Sequence, residues 1–299
     1  MTLRAVVTGV GHYLPERVVP NAEFEKTLDT SDEWIRARSG IENRHFAGEG
    51  DSTSSMAVAA ATAALADAGC SAQDVDAIIV ATSTADLTFP SSATMVQAGL
   101  GMTSGFAFDV QAVCAGSETF SRIMDWTDRG TCVLFGDGAG ALLLEGQEGT
   151  GTPADRGILA TDLNSDGRHK DLLYVDGGSS TGTTGYLRMQ GNQVFRHAVE
   201  KLAATAQTAM DRAGVTAEDV DWVVPHQANI RIIQGTAKKM NISMDRVVVT
   251  VQDHGNTSAA SIPLALSVGK QRGQIKQGDL LVTEAIGGGL AWGAVVLRW

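Results

Sequence analysis

Cys114 follows an apolar stretch and is flanked by Ala115 and Gly116, the small residues that a sharp strand-to-helix turn requires. A thiol held at a helix N-terminus meets free backbone N–H groups and the positive end of the helix dipole, and both favour the thiolate. His226, in Val224-Pro225-His226-Gln227-Ala228-Asn229, sits just beyond a predicted strand, where α/β sheets build their sites. Asn256 stands in His254-Gly255-Asn256-Thr257-Ser258, at a turn that precedes a helix. One nucleophile and two neutral hydrogen-bond donors suit acyl transfer followed by stabilisation of an enolate oxygen. The bland alternatives stay open for each: an inert buried thiol, a structural histidine, an asparagine that merely caps a helix. Gly287-Gly288-Gly289, between two apolar strands, reads as close backbone approach to a ligand, with N–H groups able to complete an oxyanion hole.

The elements that position these residues follow from a repeat. Ala68-Gly69-Cys70-Ser71-Ala72-Gln73-Asp74-Val75-Asp76 recurs 145 positions later as Ala213-Gly214-Val215-Thr216-Ala217-Glu218-Asp219-Val220-Asp221. Each copy follows an Ala-rich helix (56–68; 199–213) and leads into a strand of buried type (77–81; 222–225). A second echo is expected near the end of each half, with strand 132–135 running into Gly136 to Gly140 as strand 280–286 runs into Gly287 to Gly289. The expectation is an α/β protein of two similar halves, 1–150 and 151–299, each a mixed, mostly parallel sheet with helices on its faces. Because Ala141 to Leu144 continues as a strand, and the glycine spacing is not G-x-G-x-x-G, the glycine run is no dinucleotide loop.

The repeat also exposes a shortfall. In the second half a strand (247–251) leads to the Asn256 turn, then a helix (257–272), then a strand (280–285). In the first half a strand (106–110) leads to the Cys114 turn, and Gly116 then joins Ser117, with no helix and strand between. A crossover of that kind takes roughly two dozen residues, since the parallel connection alone needs a dozen or more. A helix and a strand are therefore expected to be missing after Gly116.

The chain has 299 residues and a formal charge of -11. That balance argues against nucleic acid, which demands a basic footprint. No apolar run approaches the roughly 20 residues of a membrane span, and no signal peptide is legible. Three cysteines without any C-x-x-C pair imply neither a disulfide framework nor a zinc site; Cys70 and Cys132 read as inert, and a reducing cytoplasmic compartment is expected. His12, His45, His169 and His197 carry no motif.

These residues coincide with long motifs of one family. Thr30-Ser31-Asp32-Glu33-Trp34-Ile35, the Cys114 turn, Asp128-Arg129-Gly130, Phe135 to Gly140, Val224 to Arg231, His254 to Ser261 and the terminal glycines occur in order, and through them the chain resembles beta-ketoacyl-acyl-carrier-protein synthase III over nearly its whole length. The resemblance implies a thiolase-like fold layered αβαβα and a decarboxylative condensation of acetyl-CoA, or another short acyl-CoA, with malonyl carrier protein to start fatty-acid synthesis. It implies that Cys114 accepts the acyl group, that His226 and Asn256 assist decarboxylation, and that the Cys114 and Gly288 amides form the oxyanion hole. Trp34 and Arg129 match the pair that holds the coenzyme A adenine, with Arg38 nearby for phosphate. Phe89 matches a residue that crosses a homodimer interface to the acyl pocket, while Arg196, Arg231, Lys238 and Lys239 match a basic patch for the acidic acyl carrier protein. Neither metal nor resident cofactor is implied. Family members carry a helix and then a core strand at the point where Gly116 here meets Ser117. Two other readings remain: a related condensing enzyme of polyketide synthesis, and a non-catalytic carrier-binding scaffold. An α/β-hydrolase is disfavoured by the lack of a G-x-S-x-G elbow before a helix.

Overall fold

The structure, a computed structural model, describes residues 1–111 and 116–299. In chain order the elements that matter here are strand β1 (Thr2–Tyr13), helix α1 (Asp32–Ser39), helix α2 (Thr53–Ala68), strand β2 (Ala77–Ala81), helix α3 (Ser92–Gly99), strand β3 (Phe106–Val110), the two-residue strand β4 (Ser117–Glu118) and strand β5 (Gly138–Gly149). There follow β6 (Gly157–Ser165), α4 (Gly191–Ala213), β7 (Trp222–Pro225), α5 (Ile230–Lys239), α6 (Ser261–Gln271), β8 (Leu280–Gly287) and β9 (Ala291–Arg298).

Both halves use one pairing scheme. In the second, β7 runs parallel to β8, β8 antiparallel to β9 and β9 antiparallel to β6, while Val247 bridges Val223 in parallel on the outer side of β7. In the first, β3 is parallel to β2, Gly116 bridges Ala81 in parallel, β4 is antiparallel to β5, and β5 is antiparallel to β1. The three residues Gly116, Ser117 and Glu118 thus stand where the second half has the eight residues of β8.

Five layers result. Helix α2 covers the outer face of β1 and β5, and α4 covers the outer face of β6, β8 and β9. Between the sheets lies α6, whose Ile262, Ala265 and Leu266 pack against Val7 and Val10 of β1 on one side and Leu281, Ala285 and Leu297 on the other. A helix apolar nearly all round belongs in such a middle layer; Ser261 to Ser267 are all buried.

Three sequence expectations need correction. Residues 132–135 form a turn, with Thr131 and Cys132 N–H both donating to the Asp128 carbonyl, and only Phe135 pairs, by a bridge to Asn256. The first-half strand instead begins at Gly138 inside the glycine run. Residues 247–251 contribute one bridge residue, and a short helix already starts at Val251. Finally, the helix expected over 199–213 starts eight residues earlier, because Val194 and Ala198 anchor its polar first turns against Leu172, Ile286 and Leu290.

Candidate active site

His226 leaves the end of β7 with its backbone N–H donating to the Glu284 carbonyl of β8 at 2.8 Å. The following Gln227 is buried and uses its whole amide: Nε2 donates to the Pro225 and Val248 carbonyls, and Oε1 accepts from the Thr250 and Val251 N–H groups. The strand end therefore cannot drift relative to the turn that follows residue 250. The His226 ring is buried, its Nδ1 lies 2.6 Å from the Ser261 hydroxyl at the start of α6, and burial lowers its pKa to about 4. At neutral pH the imidazole is uncharged, as a neutral hydrogen-bond donor must be.

Asn256 is gripped from both sides by the segment around Phe135. Its N–H donates to the Leu134 carbonyl at 2.9 Å, and its carbonyl accepts from Gly136 N–H at 3.0 Å. A Cβ at Gly136 would stand 2.6 Å from the His254 carbonyl, so the glycine is what lets the Asn256 turn press this close. The Asn256 side-chain oxygen accepts from Ser258 N–H at 2.9 Å. That bond turns the amide oxygen toward the backbone and leaves the Nδ2 donors for a ligand.

Gly288 completes the group. Its hypothetical Cβ would lie 2.6 Å from the Leu173 carbonyl, so backbone alone fits there. His226, Asn256 and Gly288 line a single cavity of about 860 Å³. Trp34, Arg38, Arg129 and Arg231 line it too. The guanidinium of Arg38 sits 4.3 Å from the Trp34 ring centroid and that of Arg129 5.1 Å, with Arg129 also donating to the Asp29 carbonyl and its carboxylate. The indole and the two guanidiniums make this part of the cavity wall both cationic and aromatic. The structure thus brings together every predicted residue of this group that it describes. Cys114 lies outside the described residues. Phe89 is 84% exposed and is not among the cavity residues.

Glu118 had no signal in the sequence, since a buried acid carries no motif. It also lines the cavity, wholly buried. Its carboxylate accepts from Ser83 N–H and from the hydroxyls of Thr82, Thr84 and Ser258, tying the end of β2 to the Asn256 turn. Burial outweighs these bonds and pushes its pKa up to about 7 from 4.5. Folding therefore binds a proton that the unfolded chain has released. The resulting stability is complete below pH 4.5 and is lost as pH rises through 7, amounting to about 3 kcal/mol at ~1.4 kcal/mol per pKa unit. Urea unfolding at pH 5 and pH 8 should show Glu118→Gln free of that part of the slope; identical slopes in variant and parent would refute the assignment.

No helix among the described residues is long and apolar enough to cross a membrane, and none of their His, Cys, Asp and Glu side chains form a cluster able to hold a metal ion. Cys132 is buried, with its thiol pKa raised to about 11 by desolvation, and Cys70 is exposed. Neither lines the cavity.

Residues 94–167 match the family described as 3-oxoacyl-[acyl-carrier-protein] synthase III, and residues 210–299 match that described as its C-terminal part. The chain is 80% identical to beta-ketoacyl-[acyl-carrier-protein] synthase III of Roseobacter denitrificans and 76% identical to that of Ruegeria pomeroyi, with all of both chains covered in each comparison. Each alignment extends over 323 positions against a chain of 299, so 24 positions of these relatives have no counterpart here. Among solved structures, 3-oxoacyl-[acyl-carrier-protein] synthase III from Aquifex aeolicus superposes with a TM-score of 0.93 at 41% identity, covering 99% of this chain and 100% of that one. The thiolase-like, five-layered architecture and the order of the site motifs agree with these matches, and the chain belongs to the beta-ketoacyl-acyl-carrier-protein synthase III family of acyltransferases, which serves fatty-acid biosynthesis.

Proposed function

We propose that the chain transfers an acyl group from a short acyl-CoA to Cys114 and condenses it with a malonyl carrier-protein thioester. Residues 1–150 contribute the nucleophile, and 151–299 the two donors and the glycine loop. The observation that carries this reading is the meeting of His226, Asn256 and Gly288 at one cavity whose lining includes Trp34, Arg38 and Arg129.

The Cys114 thiolate attacks the acyl-CoA carbonyl, backbone N–H groups at Cys114 and Gly288 hold the oxyanion, and the coenzyme A thiolate departs and takes up a proton. Malonyl carrier protein then enters. As its carboxylate leaves as carbon dioxide, the electron pair moves onto the thioester oxygen, which accepts from His226 Nε2–H and Asn256 Nδ2–H. Charge appears there only in the transition state, so preorganised neutral donors lower the barrier without tightening ground-state binding. The enolate carbon attacks the acyl carbonyl, and the Cys114 thiolate leaves, ready for another cycle.

Arg196 on α4 and Arg231, Lys238 and Lys239 on α5 are exposed along two packed helices. Such a local cationic face, one member of which lies 3.9 Å from Glu200, can steer an acidic carrier despite the net charge of -11. A homodimer is supported by exposed apolar side chains on the first half: Phe106 and Phe108 on β3, which among the described residues pairs only with β2, and Leu87 and Phe89 in the segment between β2 and α3. Phe108→Asp should convert a dimer into a monomer in light scattering, and a variant that stays dimeric would exclude this face.

Intact-mass spectrometry before and after acetyl-CoA, then after malonyl carrier protein, tests the function. Acetylation at Cys114 that is discharged by malonyl carrier establishes it. Carrier binding without any Cys114 adduct would establish the second reading, a non-catalytic scaffold, which the 24-position shortfall and the two-residue β4 favour.

A further inference from the structure

The hydroxyl of Ser261 is 2.6 Å from His226 Nδ1, both groups are buried, and no other hydrogen bond of that hydroxyl is recorded among the described residues. A hydroxyl and a neutral imidazole nitrogen can share a proton in either direction, and only one direction is useful here. If Nδ1–H donated to Ser261, the nitrogen left for the cavity would be an acceptor, which repels an enolate oxygen. Ser261 opens α6, an 11-residue helix whose N-terminal amides present partial positive charge, and this end of the helix disfavours a proton on the nearby ring nitrogen.

We propose that Ser261 is a positioning residue: its hydroxyl donates to His226 Nδ1 and so holds the ring in the tautomer that carries its proton on Nε2, toward the cavity. The inference rests on the proposed condensation, and it gives the buried hydroxyl at the start of α6 a role. The arrangement is one hydrogen bond, between His226 Nδ1 and the hydroxyl of the first residue of α6. Besides His226, the titratable groups that line the same cavity are Glu118, Arg38, Arg129, Tyr174 and Arg231.

Two readouts test this, one of them independent of turnover. In histidine labelled with nitrogen-15, with His226 assigned through a His226→Gln control, the parent should show protonated Nε2 and bare Nδ1. Ser261→Ala should show mixed tautomers and a His226 titration moved to higher pH, and Ser261→Thr should restore the parent spectrum. In turnover, Ser261→Ala should lower carbon dioxide release from malonyl carrier protein about 10- to 100-fold and leave acetylation of Cys114 unchanged. A parent spectrum with protonated Nδ1, or an alanine variant with the parent's tautomer and titration, overturns the proposal. A parent that shows bare Nδ1 yet never acetylates Cys114 would overturn the functional reading while leaving the role of Ser261 standing.

Discussion

Inserting a 24-residue helix-and-strand stretch between Gly116 and Ser117, the length by which the Roseobacter denitrificans alignment exceeds this chain, should raise the melting temperature by roughly 3–12 °C and speed acetylation of Cys114 about tenfold. The chain's own second half contains the equivalent elements. After the Asn256 turn the chain passes through α6 and β8 before reaching its glycine loop, and residues 261–284 of that passage number 24. After Gly116 the first half passes through neither and goes directly to Ser117. Where β8 fills the space between β7 and β9, only Gly116, Ser117 and Glu118 stand between β2 and β5. The effect shows in equivalent positions: Ile79 of β2 is 57% exposed while its repeat partner Val224 is 0% exposed, and Leu144 of β5 is 49% exposed while Leu297 of β9 is 4% exposed. Covering two half-exposed aliphatic side chains gains about 1.5–3 kcal/mol, before any new strand pairing is counted. At roughly 2–4 °C per kcal/mol for a chain approaching this size, the shift is well outside measurement error. The gain in acylation has a separate cause, a helix N-terminus directly behind the thiol, which lowers its pKa and raises the thiolate fraction about tenfold per unit. A Gly/Ser insert of equal length is the control. If it performs as well as the helix-and-strand insert, the slot between β2 and β5 is not the seat of the defect.

The shortfall was legible because a repeat makes one half a template for the other. The same repeat misled at residues 132–135, where an apolar run before glycines resembled strand 280–286. Periodicity records that a short run is buried and does not say by what; here Asp128 draws Thr131 and Cys132 into a turn, and the glycines themselves begin β5. His226, Asn256 and Gly288 were legible because each sits beside residues whose types announce a turn. Glu118 and Ser261 were not, since their roles depend on partners far along the chain: Thr82, Thr84 and Ser258 for one, His226 for the other. No local pattern encodes such distant pairs. The purpose of Phe135-Gly136 was likewise hidden until Asn256 was seen clasped between Leu134 and Gly136.

His226→Ala should lower decarboxylation of malonyl carrier protein by 10²- to 10³-fold, the usual loss for one preorganised donor to a developing oxyanion, and leave Cys114 acetylation within about twofold of the parent. The separation of the two steps follows from geometry and charge. With its pKa lowered to about 4 by burial, the ring is uncharged from pH 5 upward, so it neither supplies the field that a cation would offer to the Cys114 thiolate nor exchanges a proton over the working range. Its contribution is confined to the step in which charge grows on the malonyl thioester oxygen. The decarboxylation rate of the parent should accordingly carry no His226 titration between pH 5 and pH 8, and any inflection there should follow Glu118, whose pKa of about 7 falls within that range, and vanish in Glu118→Gln. Asn256→Ala should produce a loss of the same order, because its Nδ2 is the second donor. The double variant should fall short of the product of the two, since an enolate deprived of one donor is already poorly formed. Carbon dioxide release, measured with and without prior acetylation, reads the second step, and intact mass reads the first. Equal damage to both steps by His226→Ala would show that the imidazole acts on the thiol as well, and the division of labour argued here would fail.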